Sequence, residues 1–183
     1  MPTVSLGNYK KVNDLAGKPA LIVVLWELAS FLTLRNRLCA SSGLKKVILT
    51  AFGAKIGHGV VIKQSVAVKY PWKLTIGANS WIGEGVWIDN MAGVDIGDDV
   101  CVSQGAYLCT GNHDWSKSDF PLKARPITVE NGVWIGARAI VCPGMRLATH
   151  SVVTAGSVVT QNTQSYKIYQ GNPAVFVKDR KIG

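Results

Sequence analysis

The sequence predicts an all-β fold, a parallel β-helix of about five triangular coils entered through a short helical segment. Three observations carry this prediction. An aliphatic residue recurs every six positions from residue 56 onward. The breaks in that recurrence fall between blocks of eighteen residues. Apolar residues make up 48% of the 183 residues and charged residues only 17%, which supports a packed core and excludes a disordered chain.

Residues 1–55 form an N-terminal helical segment that is both basic and apolar. It holds eight Lys or Arg against two acidic residues, so it supplies most of the net charge of +9. Such a segment suits an anionic neighbour: phospholipid, nucleic acid or a phosphorylated substrate. The chain carries no helix-turn-helix, zinc-finger or aromatic RNA-binding signature, so no nucleic-acid partner is expected. Residues 20–34 read ALIVVLWELASFLTL, with Glu27 as the only charge. That is shorter than the ~20 residues a spanning helix needs. It also lies too far from the N-terminus, without a clear cleavage site, to read as a signal peptide. The expectation is a helix that caps the open end of the prism and leaves one face for a membrane surface. Trp26 would anchor at the interface, and Arg35, Arg37, Lys45 and Lys46 would lie near anionic headgroups.

The repeat begins at Ile56 and continues with Ile62 and Val68. After a two-residue slip come Ile76, Ile82 and Ile88, and after a second slip Ile96, Val102 and Leu108. A longer interruption precedes Val129, Ile135, Val141, Leu147, Val153 and Val159. Each six-residue unit makes one short strand and one corner, with the aliphatic side chain pointing inward. Three units close a coil, giving coils 56–73, 76–93, 96–113, 129–146 and 147–164. Successive coils would pair as parallel strands about 4.8 Å apart. Both slips and the loop 114–128 then emerge at the same corner. A β-sandwich, with strands every 8–12 residues, does not account for a strict six-residue period. The prism would span 56–164, leaving 165–183 as a C-terminal tail.

Four cysteines, Cys39, Cys101, Cys109 and Cys142, form no C-x-x-C pair and read as free thiols in a reducing cytosol. Cys109 lies close enough to His113 in sequence to be weighed as a nucleophile, although a free Cys is more often a small buried hydrophobe. The three histidines are far apart in the chain, and no metal is expected. His58 and His150 fall in turns. His113 ends the third coil just before the long insertion, where a loop could fold over a substrate, and imidazole titrates near neutrality. Asp114, Glu84 and Asp89 are the carboxylates that could orient it. Gly136–Ala137 and Ala155–Gly156 lie one coil apart and stack as small residues on one prism edge.

The six-residue repeat resembles that of the hexapeptide-repeat acyltransferases. The elements FGAKIG (52–57), YPWKLTIG (70–77), YLCTGNHD (107–114) and QGNPAVFVK (170–178) resemble the colanic acid biosynthesis acetyltransferase group in particular. The resemblance covers roughly residues 50–180. It implies a left-handed winding, against the usual crossover rule. It implies an O-acetyltransferase that moves an acetyl group from acetyl-CoA to a sugar hydroxyl of an exopolysaccharide or its lipid-linked precursor. His113 matches the general base. Ala137, Ala155, Thr160 and Lys178 fall on acetyl-CoA positions, and Trp134 on a wall of the active site. Arg180 and Lys181 could meet coenzyme phosphates. Two positions depart from the related enzymes: Glu84 stands where Asn is frequent, and Val175 where a second Arg is frequent. The resemblance further implies a homotrimer with sites between prisms. The free thiols and the basic, apolar N-terminal segment add the expectation of a cytoplasmic protein held peripherally at the inner face of the membrane. An antibiotic acetyltransferase shares the prism, loop and histidine but has no need of the apolar N-terminal segment. A non-catalytic binding prism would leave His113 dispensable.

Overall fold

Each six-residue unit folds as a strand of two or three residues and a tight corner, and three units make one turn of a prism. The computed structural model describes residues 3–10, 12 and 15–183. The first coil holds β1 (Lys55–Ile56), β2 (Val61–Ile62) and β3 (Ala67–Val68). The second holds β4 (Leu74–Ile76), β5 (Trp81–Ile82) and β6 (Trp87–Asp89), and the third β7 (Val94–Ile96), β8 (Cys101–Val102) and β9 (Tyr107–Cys109). A hairpin of β10 (Gly111–His113) and β11 (Leu122–Ala124) then leaves the prism. The fourth coil is β12 (Ile127–Val129), β13 (Trp134–Ile135) and β14 (Ile140–Val141), and the fifth β15 (Arg146–Leu147), β16 (Val152–Val153) and β17 (Val158–Val159). Stacked in parallel, β1-β4-β7-β12-β15 form the first face, β2-β5-β8-β13-β16 the second and β3-β6-β9-β14-β17 the third. This is the expected left-handed parallel β-helix.

The register follows the sequence period. On the first face Lys55 pairs with Thr75, Thr75 with Asp95, Asp95 with Thr128 and Thr128 with Arg146. Both two-residue slips and the hairpin therefore leave at the corner between third and first faces. The excursion starts earlier than residue 114, because Gly111–His113 already belong to the hairpin. Inside the prism, every member of the aliphatic series from Ile62 to Val159 is at most 2% exposed. Only Ile56, on the end coil, is half-buried. Burial of each such side chain contributes about 1.5–3 kcal/mol. A second ladder, Val60, Val66, Val86, Val100, Ala106, Val133 and Ala139, fills the corners. The third residue after each inward residue takes a φ between +55° and +71° at ten corners, among them Asn79, Asp99 and His150. Left-handed backbone suits Gly, Asn and Asp, which explains the turn chemistry between strands.

A helix needs no edge, but the first coil of a prism exposes one. Here α1 (Ala20–Leu32) and α2 (Ser42–Ala51) cover it. Ser41 caps α2 by accepting from the Leu44 amide. Ser42 Oγ accepts from the Ile62 amide at 2.9 Å. Lys45 Nζ donates to the carbonyls of Lys63 (2.7 Å) and Ile62 (3.4 Å). Trp26 Nε1 donates to the Val68 carbonyl at 3.1 Å. Trp26, Leu34, Leu49 and Ala54 continue the prism core. The cap is thus present, with two corrections: Lys45 is fully buried under it and not at a headgroup, and Trp26 is fully buried against the first coil and not at a membrane interface. The opposite side of α1 exposes Leu21, Val24, Leu25, Leu28, Phe31 and Leu32, a stripe at helical spacing.

The far end is also closed. Residues expected as a tail form β18 (Lys167–Gly171), parallel to β16, and β19 (Ala174–Asp179), antiparallel to β18. The second face thereby gains two strands and an ordinary hairpin edge. The dipeptide Asn172–Pro173 between two apolar runs is the turn signal that marks it.

Burial pushes the Lys45 amine below the ordinary lysine value of 10.5. The unfolded chain therefore binds more protons there, and stability rises with pH through that window. Lys45→Ala, which leaves two edge carbonyls uncovered, should lower the unfolding free energy by about 1–3 kcal/mol. Urea unfolding at several pH values should show the alkaline rise in the native chain and a smaller one in the variant.

Candidate active site

The hairpin is held rigidly at its base. Thr110 is buried, donates from its hydroxyl to the Asp89 carbonyl at 2.8 Å, and accepts from the Ala92 amide at 3.0 Å. The Arg125 amide returns to the Thr110 carbonyl at 2.9 Å. Within the hairpin His113 pairs with Leu122. Beyond it, Asp114 takes an ion pair from Lys123 at 2.8 Å and a hydrogen bond from the Ser116 hydroxyl at 2.6 Å. The Lys123 contact foremost, then Ser116, holds the Asp114 carboxyl down to about 2.

His113 is half-buried and stacks flat on Phe120, with centroids 4.4 Å apart and planes 7° apart. Its Nδ1 lies 2.8 Å from the Phe120 carbonyl oxygen. A carbonyl only accepts, so Nδ1 carries the hydrogen and Nε2 of the neutral ring is left with its lone pair. Phe120 itself has a φ of +47°. None of the carboxylates expected to orient His113 does so. Asp114 is engaged by Lys123, and Asp89 by Lys69 at 3.2 Å and the Tyr107 hydroxyl at 3.2 Å. Glu84 lies on the exposed corner between second and third faces. A backbone carbonyl has no sequence signature, which is why the orienting group escaped the sequence. Cys109 directs its thiol to the Gly111 carbonyl at 3.1 Å, which does not activate a nucleophile.

Two cavities flank the imidazole. One, of about 350 Å³, is polar and lined by Asn112, Asp114, Ser116, Lys123 and Arg125 with His113. The other, of about 630 Å³, lies between hairpin and N-terminal segment and includes Tyr9, Val12, Leu15, Tyr70 and His113. Tyr9 tilts against the His113 ring at 5.8 Å.

The remaining sequence-predicted residues lie elsewhere. Ala137 and Ala155 stack on the corner between second and third faces, joined by the Gly156 amide donating to the Ala137 carbonyl at 2.8 Å. Ala155 and Gly156 are exposed, and a Cβ at Gly156 would meet nothing within 4 Å. Gly136 is glycine for another reason: a Cβ there would lie 2.5 Å from the Ala155 amide nitrogen, so coil stacking demands it. Trp134 points out from the second face beside this edge and donates from Nε1 to Ser103 Oγ at 2.9 Å. Thr160 is exposed on the third-to-first corner of the last coil, and Lys178 is exposed on β19. Lys178 lines a cavity of about 460 Å³ with Ile168, Asp179, Arg180 and Lys181. Arg180 is held at one nitrogen: its Nη1 donates to the carbonyls of Gly132 (2.8 Å) and His150 (3.2 Å). His58 and His150 sit in corners, as expected. One chain thus joins Trp134, Ala137 and Ala155 along one edge but puts His113 on the far edge of the third face.

The faces differ in chemistry. Outward residues of the first are Lys55, Thr75, Asp95, Thr128 and Arg146. Those of the second are Val61, Trp81, Cys101, Trp134 and Val152. The third presents Ala67, Trp87, Tyr107, Ile140 and Val158, with Trp87 stacked on Tyr107 at 4.5 Å. The second and third faces are mostly apolar, although Val152 is buried and the Lys69–Asp89 ion pair lies on the third.

A family model described as the hexapeptide repeat of succinyl-transferase matches residues 73–109 and 126–161. The WcaF protein of Escherichia coli (strain K12), provisionally named a colanic acid biosynthesis acetyltransferase, is 39% identical over 133 residues, 73% of this chain and 73% of that protein. The hexapeptide-repeat acetyltransferase VCA0836 of Vibrio cholerae O1 biovar eltor, solved with acetyl-CoA, superposes with a TM-score of 0.79 at 24% identity, over 91% of this chain and 92% of its own. A galactoside acetyltransferase solved with coenzyme A gives a TM-score of 0.80 at 20% identity, over 94% of this chain and 85% of its own.

The low Asp114 value fixes how the hairpin responds to acid. Its stabilising contribution is complete above the ordinary carboxyl range and is lost as pH falls through about 2. Fluorescence of the exposed Trp115 should change with an acid midpoint near that value, and Lys123→Met should move the midpoint upward.

Proposed function

The chain belongs to the hexapeptide-repeat acetyltransferases, and on that premise we propose that it transfers an acetyl group from acetyl-CoA to a sugar hydroxyl of an exopolysaccharide or its lipid-linked precursor. The observation that carries the reading is the fixed tautomer of His113, whose Nδ1 is held by the Phe120 carbonyl. In this mechanism Nε2 takes the proton of the acceptor hydroxyl as its oxygen attacks the thioester carbonyl carbon. The Ala137 amide donates to the oxyanion as it develops. When the carbon–sulfur bond breaks, His113 returns the proton to the departing thiolate, so no covalent enzyme intermediate is required. The open edge at Ala155 and Gly156 leaves room for an extended pantetheine arm, with Thr160 and Lys178 further along the coenzyme and Trp134 walling the acyl group.

Because one chain holds His113 and the Ala137/Ala155 edge apart, a complete site takes two prisms. A cyclic homotrimer supplies this, and the apolar second and third faces supply surfaces to bury. No helix among the described residues is long and apolar enough to cross a membrane. The exposed stripe of α1 instead supports peripheral attachment at the cytoplasmic face, where acetyl-CoA is available. An antibiotic acetyltransferase would leave that stripe without a role.

His113→Ala should lower kcat by about 10²–10⁴ while coenzyme A binding survives. Mixing that chain with an Ala155→Trp chain should recover part of the activity, read by acetyl-CoA consumption with a panel of sugars, nucleotide sugars, lipid-linked oligosaccharides and chloramphenicol-type acceptors. Wild-type turnover in His113→Ala, or a fully active monomer, would remove the corresponding part of the proposal.

A further inference from the structure

The larger cavity beside His113 has a composition that a free sugar does not explain. It runs from the hairpin, at His113 and Leu122, to the start of α1, at Ala20, Val23 and Val24. Its wall is fixed: the Trp72 indole and the Lys73 ammonium each donate at 2.6 Å to backbone carbonyls of Ala16 and Leu15. The Ser5 amide bonds to the Ser118 carbonyl at 2.9 Å, drawing the N-terminal segment over the hairpin. Among the described residues most of the lining is aliphatic or aromatic, and the charged side chains there are both cations, Lys18 and Lys69. The nearly buried Asp89 steadies Lys69 from behind at 3.2 Å. Lys18 stands exposed just before α1. Val24 belongs both to this cavity and to the exposed stripe that continues through Leu28 to Phe31.

We propose that this cavity is the acceptor subsite for a long-chain lipid that carries its sugar through a phosphate or diphosphate. The proposal rests on the acetyl-transfer reading given above and names the acceptor class of that same site. The parts of such an amphiphile match the parts of the cavity. The sugar lies at His113, the phosphates meet Lys18 and Lys69 as charge-assisted acceptors, and the alkyl chain leaves past Val23 and Val24 along α1. A soluble sugar would leave the apolar end of the cavity empty and would gain nothing from two cations. A bilayer surface under α1 completes the path, because the stripe outside the cavity is apolar and the surrounding N-terminal segment is strongly basic.

The test uses the full chain with phosphatidylcholine vesicles of three kinds: plain, doped with phosphatidylglycerol, or doped with undecaprenyl diphosphate at matched charge. Cosedimentation should be about tenfold or more stronger with undecaprenyl diphosphate than with phosphatidylglycerol. The same vesicles should protect His113 from diethyl pyrocarbonate. Lys18→Glu and Leu28→Asp, both at exposed positions, should each weaken the preference and the protection. Equal binding to the two anionic vesicles without protection would mean a generic anionic surface and overturn the subsite. So would absence of binding to any vesicle, including the case in which a second copy covers α1; these comparisons need only the native chain. The two readings separate cleanly. Efficient His113-dependent acetylation of soluble oligosaccharides, with no gain from lipid phosphate, would reject the subsite and leave the acetyltransferase. Lipid-phosphate binding and protection without acetylation of any carbohydrate would do the reverse.

Discussion

Backbone pairing between successive coils is the interaction on which everything else depends. A strand of two or three residues cannot persist alone, and each acquires its partners only from the coils above and below. Pairing at that spacing fixes the inward ladder of Ile, Val and Leu, since every coil must place its aliphatic residue over the last. It also fixes the corners, where the chain turns in left-handed backbone, and forbids a side chain at Gly136 under the next coil. A stack of this kind has two ends, and unpaired strand edges invite association. Here the two ends are finished differently: helical side chains hydrogen-bond to the first coil, and a hairpin extends the last.

The prism supplies rigidity, and the chemistry is placed at its edges. His113 does not belong to a coil; it is carried on a hairpin anchored by Thr110 and oriented by a carbonyl of the same hairpin. The small-residue edge at Ala137 and Ala155 belongs wholly to the stack. The proposed base and the proposed coenzyme edge are therefore built on independent pieces of structure, and the third face separates them. The catalytic reading consequently brings oligomerisation with it, because geometry within one chain does not assemble the site.

The prism was legible because its signal is redundant: one inward residue every six, repeated along the chain, with all length changes at one corner. The features that escaped lack such redundancy. Lys45 reads as surface charge by composition, yet two edge carbonyls draw it under α2 and burial follows. Arg180 reads as a cation for coenzyme phosphates, yet its guanidinium also bridges two corners. Residues 167–179 break the six-residue period, so they look like a tail until their apolar runs pair around Asn172–Pro173. The identity of His113 stood out from its position before the insertion, while its partner was a main-chain oxygen that no residue type announces.

The confinement of length changes to the third-to-first corner has an evolutionary consequence. The other two corners keep a constant length from coil to coil. At this corner two residues, or an entire hairpin, enter without altering the pairing of the coils that follow. The scaffold of this chain thus carries its length changes at one port, and the port is also where the proposed base is mounted. On the proposed reading, acceptor preference can diverge through grafts at that port while the small-residue edge is inherited unchanged, so descendants of one ancestor can exchange acceptors without having to refound the fold.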